Sequence, residues 1–226
     1  MSTRVLMVRH GATVLSAEDR FAGATDVLLS DRGEEQAAYL AERLAKVPVA
    51  AIYVSPMQRT VRTGQIIGQP HGLAVIPVDG LREISHGRWE TMTRAEVEAQ
   101  FGDEYRRWEA DPFTCPPTGG ESGLSVLARA LPAVQNIVSQ HEGKTVMVVS
   151  HKATIRLLIG SFLGFDLRGY RDRLDQQPCA LNVLDFADPT KARLALFNDI
   201  SHYADHPETP TTALSKWWDT KALQRQ

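Results

Sequence analysis

The sequence predicts an α/β fold with a mostly parallel central sheet. Three observations carry that reading: short apolar or β-branched runs recur along the chain, stretches of helical period separate them, and two runs, LMV and VMVV, are apolar throughout. Uninterrupted apolar runs suit strands covered by helices on both faces.

Taken in order, strands are expected at Val5 to Val8, Ala51 to Val54, Val75 to Val78, Thr145 to Val149, Ala180 to Phe186 and Arg193 to Phe197. Ser30 is placed to cap a helix that begins near Asp31, where Ala37, Leu40, Ala41 and Leu44 recur on one face until Pro48 stops it. Further helices are expected from Met57 to Ile67, from Leu124 to Gln140 with a kink at Pro132, and from Lys152 to Leu163. Residues 85–123 interrupt the strand and helix alternation, hold Trp89, Tyr105, Trp108 and the Pro116-Pro117 pair, and read as a small inserted cap. Gly119 and Gly120 supply a tight turn that returns the cap to the core. From Ala204 the tail is rich in Pro and Thr and then offers a short helix around Trp217 and Trp218. Those rings suit either covering the core or meeting a second subunit, so a homodimer is one expectation. Residues 1–226 read as one domain, long enough to bury roughly 70–75% of the unfolded surface without staples.

Composition removes several function classes. A chain that is 43% hydrophobic and 23% charged is neither disordered nor collagenous. With 25 Lys and Arg against 27 Asp and Glu, the net charge of -2 gives no footprint for nucleic acid, so any anion must be held by local arrangement. Cys115 and Cys179 lie far apart without CxxC spacing, which excludes zinc and redox motifs and leaves free thiols. The amino terminus lacks a signal peptide's apolar stretch and no run approaches the ~18 apolar residues of a span. A cytoplasmic protein with no membrane partner is expected.

The chemistry gathers at strand ends. LMVRHGAT puts Arg9 and His10 after the first strand, and VMVVSHKAT puts Ser150 and His151 after the fourth. Ligands of open parallel sheets bind outside the strands' carboxyl ends, where two such histidines could face each other; each could equally satisfy a loop hydrogen bond. A neutral imidazole is nucleophilic near pH 7, and a phosphoryl group needs fixed positive donors around its oxygens. Arginine supplies them through its planar fork. Arg9 adjoins His10, and Arg59 falls in the first turns of the helix after the second strand; Arg62, one turn on, reads as an outer support or a surface charge. Glu83, soon after the third strand, is the candidate proton donor to a leaving alkoxide, its alternative being an ordinary surface glutamate. No GxxxxGK[ST] or HExxH occurs, and Ser122 in GGESG has no strand before it, which rules out a serine-hydrolase elbow.

These residues resemble the histidine phosphatase superfamily, the phosphoglycerate mutase-like fold of branch 1. The markers are VRHGAT, the LSDRG helix start, SPMQRTVRT, LREISHGRWE, GGES and VVSHKATIR, in the family's order from Val5 to about His202. The resemblance implies a three-layer α/β/α sandwich and a covalent phosphohistidine intermediate. It implies His10 as nucleophile, Arg9, Arg59 and His151 as holders of the phosphoryl oxygens, and Glu83 as acid and then base. It implies neither metal nor organic cofactor. Thr13, Ser16, Gly23, His86 and Lys152 are the expected substrate-binding set. Leu15 and Ser16 stand where relatives carry Trp and Asn, and Lys152 and Ala153 replace a common glycine pair. Lys152 either adds positive charge at the rim or merely starts its helix; His86 either binds substrate, as in metal-independent phosphoserine phosphatases, or serves its loop.

Mutase relatives resemble longer chains with a larger basic insertion between the acid and the second histidine, whereas only 67 residues lie between Glu83 and His151. The expected function is therefore hydrolysis of a phosphomonoester of a small metabolite: phosphoserine, a sugar phosphate or a phosphoglycerate-type ester. A phosphoglycerate mutase and an inactive phosphate-binding module are the alternatives.

Overall fold

The computed structural model describes residues 1–14 and 20–204. Six strands, β1 (Thr3–Arg9), β2 (Val49–Val54), β3 (Val75–Pro77), β4 (Thr145–Ser150), β5 (Leu181–Asp188) and β6 (Lys191–Asp199), form one sheet in the order β3-β2-β4-β1-β5-β6. β1, β2, β3 and β4 run parallel, and the β5–β6 hairpin adds antiparallel to β1. Each expected strand is present.

The alternating side chains of the parallel strands divide between two cores. Leu6, Val8, Ile52, Val54, Met147 and Val149 pack with Leu40 of α1 (Asp31–Leu44) and Ile67 of α2 (Gln58–Gly68). Val5, Met7, Tyr53, Val146 and Val148 face the other way, onto Val134 of α4 (Gly123–Gln140) and Ile155 of α5 (Lys152–Phe162). Helix, sheet and helix thus form three layers, and every central strand is covered twice. Ser30 caps α1 by accepting from the Gly33 amide, as its position implied.

Helix α4 runs from Gly123 to Gln140 as one element through Pro132. Both Pro132 and Ala128, whose carbonyl loses the proline's missing donor, lie on the exposed face, where water can take that carbonyl. One expectation needs correction: the segment 85–123 is more regular than expected, because it holds α3 (Arg94–Ala110). Thr93 and Glu96 close a full capping box at its start. Its apolar phase is broken where Phe101 leaves helical geometry (φ -133, ψ 38), so only Val97, Tyr105 and Trp108 are buried and the periodicity is weak. Those three join Phe21 and Trp89 in a separate aromatic cluster. Gly119 takes the expected left-handed turn (φ 75), after which the Glu121 amide donates to Ser85 O at 2.8 Å and ties the segment back. Ser122 is the N-cap of α4. A short helix, α6 (Tyr170–Arg173), follows α5. Trp217 and Trp218 lie outside the described residues.

Candidate active site

Strand register builds the site. Arg9 pairs with Ser150 and Val54 with Val149, and the ladder continues one residue further: the His10 amide donates to Ser150 O at 3.0 Å and the Ser55 amide to Val149 O at 3.0 Å. Three strands therefore deliver His10, His151 and Ser55 to one carboxyl edge, and the two imidazole rings meet edge to face with centroids 5.2 Å apart.

The hydrogen bonds assign both tautomers. His10 Nδ1 lies 2.7 Å from Gly11 O, an acceptor only, so Nδ1 carries the proton and Nε2 keeps its lone pair. His151 Nδ1 accepts from Arg59 Nε at 3.2 Å, which puts its proton on Nε2, where it donates to Ser55 Oγ at 2.8 Å. Both rings are neutral for the same reason. Burial first, then Arg59 and Arg9, push His10 well below its usual 6.5; burial first, then Arg59, His10 and Arg9, do the same to His151.

Arg59 is 2% exposed, and the loop before α1 wraps it: Nη1 donates to Thr25 O and Nη2 to Gly23 O, both at 2.8 Å. Gly23 must lack a side chain, because a Cβ there would lie 1.9 Å from Ile84 O. Glu90 holds the same loop by accepting from the Ala24 and Thr25 amides, the Thr25 hydroxyl and the His86 amide. Arg9 Nη1 donates to Gln176 O at 2.6 Å, while its Nε is buried with no partner among the described residues. Behind it, the Gln176 and Asn182 side-chain amides bond each other at 2.8 and 2.9 Å.

Glu83 sits against the start of α5. Its carboxylate accepts from the Ala153 and Thr154 amides and the Thr154 hydroxyl, each at 3.2 Å, and it lies within charge-coupling range of Arg9 and Arg59. Lys152, the first residue of that helix, pairs loosely with Asp175 at 3.7 Å. Burial first, then Arg156 and Arg9, push its ammonium down to about 7 against the pull of Asp175; with 42% of the side chain still exposed, water offsets part of that push.

The remaining expected residues divide. Thr13 is buried and bridges to Leu29. His86 packs its ring on Phe21 at 5.0 Å, with Nδ1 buried and unpartnered, and burial pushes its pKa down. Arg62 turns out to be a surface charge, paired with half-exposed Glu34. Ser16 lies outside the described residues. Sequence reasoning passed over Ser55, Glu90 and Asn182. Ser55 carried a signal, since it directly follows a strand that ends at the same edge; Glu90 and Asn182 had none.

A family model described as histidine phosphatase superfamily (branch 1) matches residues 5–200. The chain belongs to that superfamily. By class it is a phosphomonoesterase. It is 35% identical to "Phosphoserine phosphatase 1" of Hydrogenobacter thermophilus over 73% of this chain and 78% of that one. It is 36% identical to a "Glucosyl-3-phosphoglycerate phosphatase" of Mycolicibacterium vanbaalenii over 71% and 74%. The structure of Bacillus stearothermophilus YhfR superposes with a TM-score of 0.82 at 30% identity, covering 88% of this chain and 98% of that one. The chain spans about half, 55%, of the length of longer mycobacterial relatives to which it is 34% identical.

Proposed function

We propose that this phosphatase hydrolyses a phosphomonoester of a small metabolite through a phosphohistidine on His10. The observation that carries the reading is the His10 tautomer: Nδ1 is held by Gly11 O, and Nε2 is left with a lone pair and no hydrogen-bond partner among the described residues, beside cationic Arg9 and Arg59.

In the first half-reaction His10 Nε2 attacks phosphorus as the bond to the ester oxygen breaks. Glu83, acting in its protonated form, gives its proton to the departing alkoxide, and the product alcohol leaves. In the second, Glu83 takes a proton from water, the resulting hydroxide attacks phosphorus, and the P–N bond breaks to return neutral His10 and inorganic phosphate. Arg9 and Arg59 offset the charge spread over the equatorial oxygens. The contact between Arg59 and His151 must yield to a bound dianion. His151 then takes up a proton at Nδ1 and faces a phosphoryl oxygen, a change that the negative charge itself favours.

Residues 85–123 serve in this reading as a cap. His86 and Glu90 join it to the loop that aims Arg59, so cap and phosphoryl site are built as one unit. The compounds named for the relatives, phosphoserine and a glucosylated phosphoglycerate, are small phosphate esters of the size such a site would take.

The test is rapid quenching with a labelled phosphomonoester. An acid-labile, alkali-stable phosphoryl adduct is expected on His10, and His10→Ala should lose both adduct and turnover. Full turnover in that variant would remove His10 as nucleophile. Phosphoryl transfer to an added phosphoglycerate in preference to water would make the enzyme a mutase.

A further inference from the structure

Two further cations, Lys152 and Arg156, lie beside the phosphoryl site and are not used by the reaction as described. Arg156, one turn after Lys152 on α5, is 8% exposed; its Nη2 reaches Asp175 at 3.3 Å and its Nε is buried with no partner among the described residues. Lys152 shares the same Asp175 oxygen at 3.7 Å, beyond hydrogen-bond length, so its half-exposed ammonium is not locked in place. Arg9 is the third cation, within charge-coupling range of both Lys152 and Arg156.

Two cations thus share one carboxylate with a third, Arg9, nearby, and that carboxylate is already subscribed. Asp175 Oδ1 also accepts from the Gln176 amide at 2.8 Å, and Oδ2 accepts from Gln177 Nε2 at 2.7 Å. Glu83, the other nearby acid, has its oxygens on the Ile84, Ala153 and Thr154 amides. Burying a positive group without a matching anion is costly, and a bound anion is the ordinary compensation. A phosphoryl dianion answers Arg9 and Arg59. Lys152 is left over, a single charge at the accessible edge of the cluster.

We propose that Lys152, backed by Arg156, binds a carboxylate on the substrate, so that the enzyme selects phosphomonoesters carrying one further negative charge near the ester. The inference rests on the phosphatase reading above. One surplus charge matches a carboxylate better than a second phosphoryl dianion. A lysine at the first position of α5 also stands directly beside His151, so a group bound there extends from the phosphoryl site itself.

Competition against hydrolysis of p-nitrophenyl phosphate by the full chain tests this with a matched pair. 3-Phosphoglycerate and glycerol 3-phosphate differ only in a carboxylate replacing a hydroxymethyl group. In the wild type the carboxylate should tighten inhibition about tenfold, the size of one charge-assisted hydrogen bond. Lys152→Gln should bring the ratio near one, and Lys152→Arg should keep most of it. Equal inhibition in the wild type, or an unchanged ratio in Lys152→Gln, would overturn the subsite while leaving the phosphatase reading intact. A wild type that neither hydrolyses p-nitrophenyl phosphate nor labels His10 would sink the phosphatase reading first, and the subsite with it.

Discussion

Ser55 is buried and sits one residue past β2, and the His151 Nε2 proton ends on its hydroxyl. That bond orients the ring and decides which nitrogen faces Arg59, a job that no property of serine in a sequence announces. Ser55→Ala should lower kcat by about tenfold, as loss of an orienting partner commonly does, with KM changed less. Ser55→Thr should restore part of kcat if the hydroxyl is what matters. A variant that melts earlier but turns over normally would show Ser55 to be merely structural. The placement of the candidate site was legible where polarity and position coincide: Arg9, His10, Glu83 and His151 are strand-end or loop residues, Arg59 opens the helix after β2, and strand register brings both histidines to one edge. It was not legible for Glu90 and Asn182. Their side chains work through contacts with residues 24 and 176, which only folding brings near.

Among the elements, strands read well because each carries a short apolar or alternating run and ends at a polar loop. Helices α1, α2, α4 and α5 read well because a single apolar face packs on a sheet. Helix α3 escaped notice for the opposite reason. It packs against a small aromatic cluster rather than the sheet, it bends at Phe101, and its face changes phase there. Its start was nonetheless written locally, in the reciprocal bonds of Thr93 and Glu96. Thr93→Ala removes the side chain that accepts from the Glu96 amide and should cost about 1 kcal/mol of stability. Denaturant unfolding measures that cost, and a midpoint equal to the wild type's would show that the tertiary contacts of Tyr105 and Trp108 alone secure the helix.

On the scale of the whole molecule, the site stores a pH dependence. His10 and His151 are neutral when folded, and both have pKa values held well below the 6.5 that each has when exposed. Between those two limits the unfolded chain binds protons that the folded chain refuses, so stability falls as pH drops below about 6.5. A phosphate ion or vanadate in the site offsets the surrounding cations and should reduce that loss, because a bound anion lets the histidines take up protons while folded. Thermal midpoints measured from pH 7.5 to pH 5, with and without phosphate, check the sign. A His10→Asn, His151→Asn double variant should flatten the curve.

The local pattern of residues determined the layered α/β architecture, the order of its strands and helices, and the identity of the polar groups at their ends, since periodicity, caps and strand-end polarity are properties of neighbours in sequence. Tertiary structure decided the protonated nitrogen on each histidine, the closing of the Gly23 loop around Arg59, and the meeting of Lys152 and Arg156 on Asp175. Those depend on distances between groups far apart along the chain, and tautomer and surplus charge have no meaning until burial removes the water that would otherwise answer them.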